Sequence, residues 1–478
     1  MLRFLVFLCC ASVACATAAR ADLDRAHPPA PGPAPAASFP DYCEITLPNG
    51  LKVFVIENHR QPTVTFRLLV RAGAVCDGPK PGTAEIAAEL LNKGTARRDA
   101  NAFAQAADTL GAVIEAGAGE DAAFVYASGL TRFLPQVLDL FSDAVLHPAF
   151  PEAELTKEKA RSLSQLAQAR QRPPWLLSTL RDKLLYGPAH PYGAVPTDAV
   201  INALTRADVQ AWHRTWFRPN NASLAIVGDV RADDVLPLVE RAFGAWEKGD
   251  VPALQLPALP APAQTRTIHL INRPGSVQST FAVAATGLPR NNADLPELGV
   301  VNAILGGGYS GRLFQNLRER HGYTYGAGSS FSSLRLGGIF AASAEVRNEV
   351  TLPALQEMLA EIARLRDQPV LDAELAMQRN YLAGNYLLSL ESPIRTAERV
   401  QEIDLYGLPG DYFKTYARRV ASVSTERVEA LAKKYLPDAD GVTIVVVGEA
   451  RDVRPQLEKL GQVIVYDLNF KAQPAAAN

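Results

Sequence analysis

A glycine-rich string in the second half of the chain has the spacing of a phosphate-binding loop. Gly306, Gly308 and Gly311 fit the G-x-G-x-x-G pattern, which brings the backbone close to the pyrophosphate of a dinucleotide. That fingerprint requires a strand before the glycines and a helix after them. The preceding residues, PELGVVNAIL, have the apolar spacing of a helix instead. We therefore exclude a dinucleotide site at this loop.

The histidines and cysteines of the chain form no ligand pattern. His190 lies in an HPYG string and His321 stands alone, and lone histidines are more often structural than ligands. We assign neither a catalytic role. Cys43 and Cys76 are the cysteines that follow residue 21. In an oxidising compartment they could form one disulfide if their Cα atoms come within ~6 Å, which the sequence leaves open.

The first 21 residues have the pattern of a secretory signal peptide. A short basic start precedes an apolar run from Phe4 to Ala19, and a small-x-small site ends at Ala21. The run is short for a membrane span, which needs about 20 apolar residues. We predict cleavage after Ala21, a secreted or periplasmic protein, and no membrane span after signal removal. The proline-rich residues 22–40 are predicted to be a flexible segment.

The charge balance limits the classes of partner. The chain has 48 Lys and Arg against 50 Asp and Glu, a formal net charge of −2. Both charged residues of the predicted signal peptide are arginines, so its removal makes the balance more acidic. Such a balance argues against nucleic acid or an anionic membrane as the main partner.

An internal repeat organises the rest of the chain. The string LYG at 185–187 recurs at 405–407, and AIVGD at 225–229 recurs as VVVGE at 445–449. Both pairs are 220 positions apart. A helix with a Ser or Thr cap precedes both AIVGD and VVVGE. Each of these two strings lies in a β-branched run that is typical of a buried strand. The chain is therefore predicted to be a duplication of one unit.

The repeat and the proline content predict the domain organisation. An N-terminal half, 41–250, precedes a linker at 251–265 that is rich in proline, and a C-terminal half, 266–470, precedes a tail at 471–478. Strands and helices mix without strict alternation. We predict an α+β fold with two homologous halves, each an antiparallel sheet with helices packed on one face, joined by the linker into a clam-shell.

Several strings together resemble one family. The order is a hairpin at Asn49-Gly50, a strand ending in Arg-Ala-Gly, a helix closing in Lys-Gly-Thr, then LLYGPAHPYG and GGGYSGRLFQNLRERHGYTYGAGSSF. These strings resemble the pitrilysin/insulinase family of zinc peptidases, in the short bacterial form related to the mitochondrial processing peptidase. The resemblance extends from about Tyr42 to Leu468.

The resemblance implies a zinc site that this chain lacks. The family carries H-x-x-E-H on the helix that closes in Lys-Gly-Thr, with two histidine ligands and a glutamate as general base. The corresponding residues here are Glu85, Ala88 and Glu89. The third ligand, a glutamate on a later helix, corresponds to Ser164 or Gln165. The resemblance therefore predicts that this chain binds no zinc.

Two further points concern the same half. The family has an asparagine that holds the substrate carbonyl, and Glu115 stands at that position. The carboxylates of Glu85, Glu89 and Glu115 could suit Ca²⁺ or Mg²⁺, although a hard cation takes six or more oxygen ligands. The alternative is that Glu85 and Glu89 are solvated residues of a chamber-lining helix.

The C-terminal half keeps the family's substrate-side pair. The resemblance implies that Arg318 and Tyr325, in LRERHGYTYG, bind substrate and stabilise the tetrahedral intermediate. A guanidinium supplies planar, permanently charged donors, and a phenol can donate to a developing oxyanion. An ordinary surface arginine and a packed tyrosine are the alternative.

These residues predict a non-catalytic, substrate-binding subunit of a heteromeric zinc metalloendopeptidase that cleaves peptides or unfolded segments. Its partner would be a homologous H-x-x-E-H chain, which would bind the zinc. A first alternative is a peptidase-like binding or scaffold protein without a proteolytic role. A second is an autonomous hydrolase with a rebuilt metal site.

Overall fold

The structure of the protein, a computed structural model, describes residues 39–254, 256–261, 265–438 and 440–473. The predicted signal peptide, most of the proline-rich segment and the end of the tail lie outside these residues. No helix in the described ranges is long and apolar enough to cross a membrane.

The first half contains six strands and eight helices within residues 43–243. Its strands are β1 Cys43–Thr46, β2 Lys52–Glu57, β3 Thr63–Val70, β4 Val113–Ala118, β5 Ala123–Leu130 and β6 Ala222–Gly228. Its helices are α1 Thr83–Glu89, α2 Ala100–Leu110, α3 Leu134–Leu146, α4 Glu152–Ala169, α5 Pro173–Tyr186, α6 Asp198–Ala203, α7 Arg206–Trp216 and α8 Ala232–Phe243.

The second half repeats this arrangement within residues 267–466. Its strands are β7 Thr267–Asn272, β8 Gln278–Gly287, β9 Thr324–Ser333, β10 Gly338–Arg347, β11 Thr443–Gly448 and β12 Val463–Tyr466. Its helices are α9 Leu295–Leu305, α10 Arg312–Phe314, α11 Thr351–Asp367, α12 Asp372–Ser389, α13 Pro393–Tyr406, α14 Tyr412–Ala421, α15 Thr425–Tyr435 and α16 Ala450–Leu457. A π-helical turn, Gln315–Arg320, continues α10.

The element bounds agree with the sequence repeat. Helices α4 and α12 begin 220 residues apart, and so do α5 and α13. Helix α5 begins with Pro173 and helix α13 with Pro393, and proline is favoured in the first turn of a helix. The prediction of an α+β fold with two homologous halves is confirmed.

Each half is built on one six-stranded sheet, and both sheets are mixed rather than purely antiparallel as predicted. The strand orders are β1-β2-β6-β3-β5-β4 and β12-β7-β11-β8-β10-β9. Strand β6 lies between β2 and β3 and runs parallel to β2, while β11 runs parallel to β7. Parallel pairing is available because a long helical segment separates these strands in the chain.

The two faces of the first sheet contact different halves of the protein. On strand β2, Val53 and Val55 belong to the core that the helices of the first half cover. The alternate residues Phe54 and Ile56 point to the opposite face and pack in a cluster with Val400 of helix α13. A helix of the second half therefore covers this face, whereas the sequence predicted helices on one face alone.

The second sheet has the reciprocal arrangement. On strand β11, Ile444 and Val446 belong to the core of the second half. Val445 and Val447 on the other face pack with Leu180 of helix α5, which comes from the first half. The two halves thus exchange equivalent helices, and each sheet is buried on both faces.

Polar contacts accompany the exchanged helix α13. Gln401 is fully buried and donates to the carbonyl oxygens of Arg67 and Ser223, at 2.9 Å each. Asp404 is also buried and accepts from Lys52 Nζ at 2.7 Å and from the guanidinium of Arg71. These pairs satisfy the polar groups that the contact between the halves removes from water.

Candidate functional site

Helix α1 carries the three positions of the altered zinc motif, and a buried aspartate holds its first turn. Asp77 accepts hydrogen bonds from the backbone N–H groups of Gly82 and Ala84, both at 2.7 Å. Gly82 has φ 98°, a left-handed conformation that favours glycine. Burial raises the pKa of Asp77 to about 7, although the two N–H donors oppose the rise.

The three motif residues of helix α1 have different environments. Ala88 is fully buried, and its methyl group has no proton acceptor, so a general base is absent from that position. Glu89 is half-buried, and Glu85 is exposed at a cavity. Burial raises the pKa of Glu85, and the nearby carboxylates of Glu89 and Glu158 raise it further.

An arginine of helix α4 forms ion pairs with two of these carboxylates, Glu89 and Glu158. Arg161 Nη2 lies 3.1 Å from Glu89 Oε2. The same guanidinium donates to both oxygens of Glu158, with Nη2–Oε1 at 2.7 Å and Nε–Oε2 at 2.9 Å. The hydrogen bonds to Glu158 hold the pKa of Arg161 above its usual range. Neither Glu158 nor Arg161 was predicted from the sequence, because an arginine three positions after a glutamate resembles an ordinary surface pair on a helix.

The cavity beside helix α1 has a volume of about 540 Å³. Glu85 lines it together with Gln165 of helix α4, whereas Ser164 is exposed outside its lining. Gln165 is therefore the residue that faces the altered motif. An amide at this position supplies a weak neutral oxygen where zinc sites of this class use a third protein ligand.

This set of residues does not fit a zinc ion. It offers two carboxylates and one amide in place of two imidazoles and a carboxylate, and a guanidinium already pairs with Glu89. No group of three or more His, Cys, Asp or Glu side chains within the described residues is arranged to hold a metal ion. Glu115 lies on edge strand β4, and within the described residues it does not join Glu85 and Glu89 in a group that could hold the suggested Ca²⁺ or Mg²⁺ ion.

Arg318 lies in the π-helical turn of the second half. Its guanidinium stands 4.9 Å from the centre of the Phe314 ring, and its Nε lies 3.6 Å from Glu319. Asn316 anchors the same turn by donating to Glu357 at 3.0 Å and to Glu361 at 2.5 Å. π-Helical turns occur frequently at functional sites, and this one leaves the Arg318 side chain accessible.

Tyr325 lies at the beginning of edge strand β9, which packs against the π-helical turn. Its side chain is 88% exposed, an unusual exposure for a tyrosine. The neighbouring Thr324 fixes the backbone by donating to the Glu345 carbonyl oxygen at 2.6 Å. The phenol of Tyr325 is therefore held on a fixed strand and remains free to meet a ligand.

The glycine-rich loop borders the same surface. Gly306 accepts a backbone hydrogen bond from Ser329 of β9 at 2.9 Å, and a Cβ on Gly306 would lie 2.6 Å from that nitrogen. The glycine thus permits a close contact between the loop and the strand. Tyr309 of the loop stands edge-on to Phe314 at 4.9 Å, which links the loop to Arg318. Helix α9 precedes the loop, in agreement with the exclusion of a dinucleotide site.

The remaining candidates have structural roles. His190 is buried, its ring accepts from the backbone N–H of Tyr192, and burial lowers its pKa. His321 stacks on Tyr323 at 4.9 Å. Cys43 is exposed and Cys76 is buried, and both are free, so the suggested disulfide is absent. Burial raises the pKa of Cys76 to about 11, which keeps this thiol protonated.

Comparisons with known proteins agree with this fold. The chain is similar to a crystal structure titled peptidase M16 inactive domain from Pseudomonas fluorescens, with 29% identity, a TM-score of 0.79, and coverage of 85% of this chain and 98% of that one. It is also similar to a protease from Helicobacter pylori, with 20% identity, a TM-score of 0.74, and coverage of 85% and 99%.

Two curated relatives match most of this chain and most of their own length. The uncharacterized zinc protease YmxG of Bacillus subtilis is 23% identical over 84% of this chain and 97% of its own. An uncharacterized zinc protease of Streptomyces coelicolor is 26% identical over 84% of this chain and 88% of its own. Residues 52–187 match the family described as Insulinase (Peptidase family M16), and residues 203–382 match the one described as Peptidase M16 inactive domain. The chain therefore belongs to the insulinase-like M16 peptidase family.

Proposed function

We propose that this chain is a non-catalytic, substrate-binding subunit of a heteromeric zinc metalloendopeptidase. A homologous H-x-x-E-H chain would hold the zinc, and the pair would cleave peptides or unfolded segments. The observation that supports the proposal is the contrast between the halves. The first half has Arg161 paired with Glu89 at the motif, whereas the second half presents Arg318 and Tyr325 to solvent.

The two accessible side chains have the chemistry that a substrate subunit needs. The guanidinium of Arg318 can donate to the carbonyl oxygens of an extended peptide, and its charge persists at any physiological pH. The phenol of Tyr325 can donate to an oxygen that becomes negative as a peptide bond is attacked. Ala88 supplies no base, so the activation of water belongs to the partner. The predicted signal peptide of this chain would send it to the periplasm or outside the cell, where it would meet its partner.

The experiment reconstitutes this chain with an H-x-x-E-H homologue from the same organism and measures peptide cleavage. Tyr325→Phe and Arg318→Ala should each lower the turnover number by roughly 10²–10³, the usual effect of losing one donor to a developing oxyanion. Size-exclusion chromatography checks that the complex persists. Matched controls are Tyr309→Phe and Arg320→Ala, which alter exposed side chains of the same type nearby.

Unchanged turnover in both variants, with an intact complex, would favour the second candidate, a binding or scaffold protein without a proteolytic role. The burial of Ala88 and the ion pair at Glu89 suit that candidate equally well. The exposure of Tyr325 together with that of Arg318 favours the first, because both donors can reach a peptide bound to the second half.

A further inference from the structure

The cavity at the altered zinc motif retains the features of a ligand site. Its volume of about 540 Å³ lies within the range of roughly 300–1,000 Å³ that is usual for small-molecule and side-chain pockets. Helix α1, helix α4 and the start of helix α5 form three of its walls. Because regular elements rather than loops hold these walls, the cavity is preorganised.

The carboxylate of Glu85 is the group in this cavity that can form an ion pair with a bound cation. Arg161 pairs with both Glu89 and Glu158, and its single positive charge offsets one of their two negative charges. Among the residues that the structure describes, none donates a hydrogen bond to Glu85 or forms an ion pair with it. Three carboxylates at the cavity and beside it, those of Glu85, Glu89 and Glu158, stand against two guanidinium groups, those of Arg161 and Arg172, so a net negative charge of one remains. Glu85, which replaces a metal ligand, is the carboxylate of the three that has no ion pair within the described ranges.

The other lining groups complement an organic cation. Trp175 contributes an indole, the aromatic group on which a guanidinium or ammonium binds best. Gln165 and Gln168 contribute amide oxygens that can accept from additional N–H groups. Arg172 also lines the cavity. Its positive charge opposes any cation there, but its N–H groups can donate to the backbone carbonyls of a peptide, which a bare metal ion does not offer.

We propose that this cavity binds the basic side chain of a peptide, an arginine or a lysine, through a charge-assisted hydrogen bond to Glu85 and contact with Trp175. The degenerate half would thus have exchanged a metal ion for a cationic side chain of its ligand. This inference concerns the first half alone and needs neither a partner subunit nor Arg318. It adds a preference for basic peptides to the proposed function and can be tested separately from it.

The test measures the binding of two capped pentapeptides to the purified chain by isothermal titration calorimetry. N-acetyl-Gly-Gly-Arg-Gly-Gly-amide carries a single charge, and its citrulline analogue is nearly the same shape without that charge. We expect the arginine peptide to bind at least tenfold more tightly, because a hydrogen bond to a charged group contributes about 1.5–3 kcal/mol. Quenching of tryptophan fluorescence that disappears in Trp175→Phe would locate the peptide in the cavity.

Two variants separate the site from the general charge of the protein. Glu85→Gln keeps the side-chain shape and should remove the preference for arginine over citrulline. Glu152→Gln removes an equal charge from the exposed beginning of helix α4, outside the cavity. This variant should keep the preference for arginine over citrulline. Circular dichroism confirms that both variants fold.

Three results would overturn the inference. The first is equal affinity of the wild-type chain for the two peptides. The second is a preference for the arginine peptide that survives in Glu85→Gln. The third is displacement of the peptide by micromolar Zn²⁺ or Ca²⁺, which would identify a metal site. None of these results affects the cleavage assay of the proposed function, because that assay follows Arg318 and Tyr325 in a reconstituted complex.

Discussion

The guanidinium of Arg161 lies 3.1 Å from the carboxylate of Glu89, where the family's zinc ligand would stand. It also forms a bidentate pair with Glu158, which is buried. A charged group of the protein thus supplies the positive charge that a metal ion supplies in other family members. The position of Glu89 is consequently taken up by an ion pair, while Glu85, one turn earlier on the same helix, still faces the adjacent cavity.

This arrangement predicts that restoring the motif alone gives no zinc site. The triple variant Glu85→His, Ala88→Glu, Glu89→His still has Gln165 at the third position, and Arg161 would repel the metal. We expect no stoichiometric zinc, measured by inductively coupled plasma mass spectrometry after purification without chelators. The wild-type chain should likewise bind none.

The control adds Arg161→Ala and Gln165→Glu to the triple variant, which supplies a third ligand and removes the competing cation. Zinc bound by the triple variant at one ion per chain would show that another residue completes the site.

The buried ion pairs between the halves predict a loss of stability. Asp404→Asn leaves Lys52 and Arg71 without their shared carboxylate. Because the cations are partly exposed, we expect a loss of about 2 kcal/mol in the free energy of unfolding, less than for a fully buried pair. Urea unfolding measures this change.

A second pair between the halves provides the control. Glu391→Gln removes the partner of Arg60, and both side chains are largely exposed. Its effect should stay below about 0.5 kcal/mol, as for other surface pairs. Equal effects of Asp404→Asn and Glu391→Gln would refute the distinction between the two contacts.

The raised pKa of Asp77 predicts a pH dependence of stability. In the unfolded chain this carboxyl ionises near 3.8, whereas in the folded protein its pKa is about 7. The folded state therefore binds the proton more tightly, and this contribution to stability is lost as the pH rises from about 4 through 7. The slope approaches about 1.4 kcal/mol per pH unit.

The measurement is urea unfolding at several pH values between 4.5 and 7.5. Asp77→Asn loses one acceptor at the first turn of helix α1, so it is less stable overall. Its free energy of unfolding should nevertheless decline less with pH than that of the wild type. Parallel pH curves for the two proteins would contradict the assignment.

The exchanged helices predict that the two halves unfold together. Leu180→Ala lies in the first half but removes a side chain from the face of the second sheet, at a cost of about 2–5 kcal/mol. We expect a single calorimetric transition at a lower temperature. Val400→Ala is the equivalent change in the second half and should shift the same transition. Two separate transitions in either variant would show independent halves.

The sequence predicted much of this fold because its signals are local. The repeated LYG strings end helices α5 and α13, and the β-branched runs form β6 and β11. The mixed sheets could not be predicted, since the insertion of β6 beside β2 depends on residues far apart in the chain. The exchange of α5 and α13 was missed for the same reason, because an apolar helix does not indicate which sheet it covers.

The candidate site was predicted less completely. The motif alone predicts the positions of Glu85, Ala88 and Glu89. The ion pair between Glu89 and Arg161, in contrast, depends on how helix α4 is rotated about its axis. That rotation places Gln165 rather than Ser164 beside Glu85, a choice that the sequence left open. Spacing on one helix predicts which residues share a face, but not which neighbouring helix that face meets.

The exchange of α5 and α13 bears on how this chain arose. A single unit before duplication would have had an apolar sheet face without cover and an apolar helix without a sheet. Two copies that exchange this helix satisfy both needs at once, which is the arrangement of a symmetric dimer. In the present chain the linker at 251–265 makes the association intramolecular and independent of protein concentration. Because each position of the unit is encoded twice in one chain, one copy can lose a residue that the other keeps.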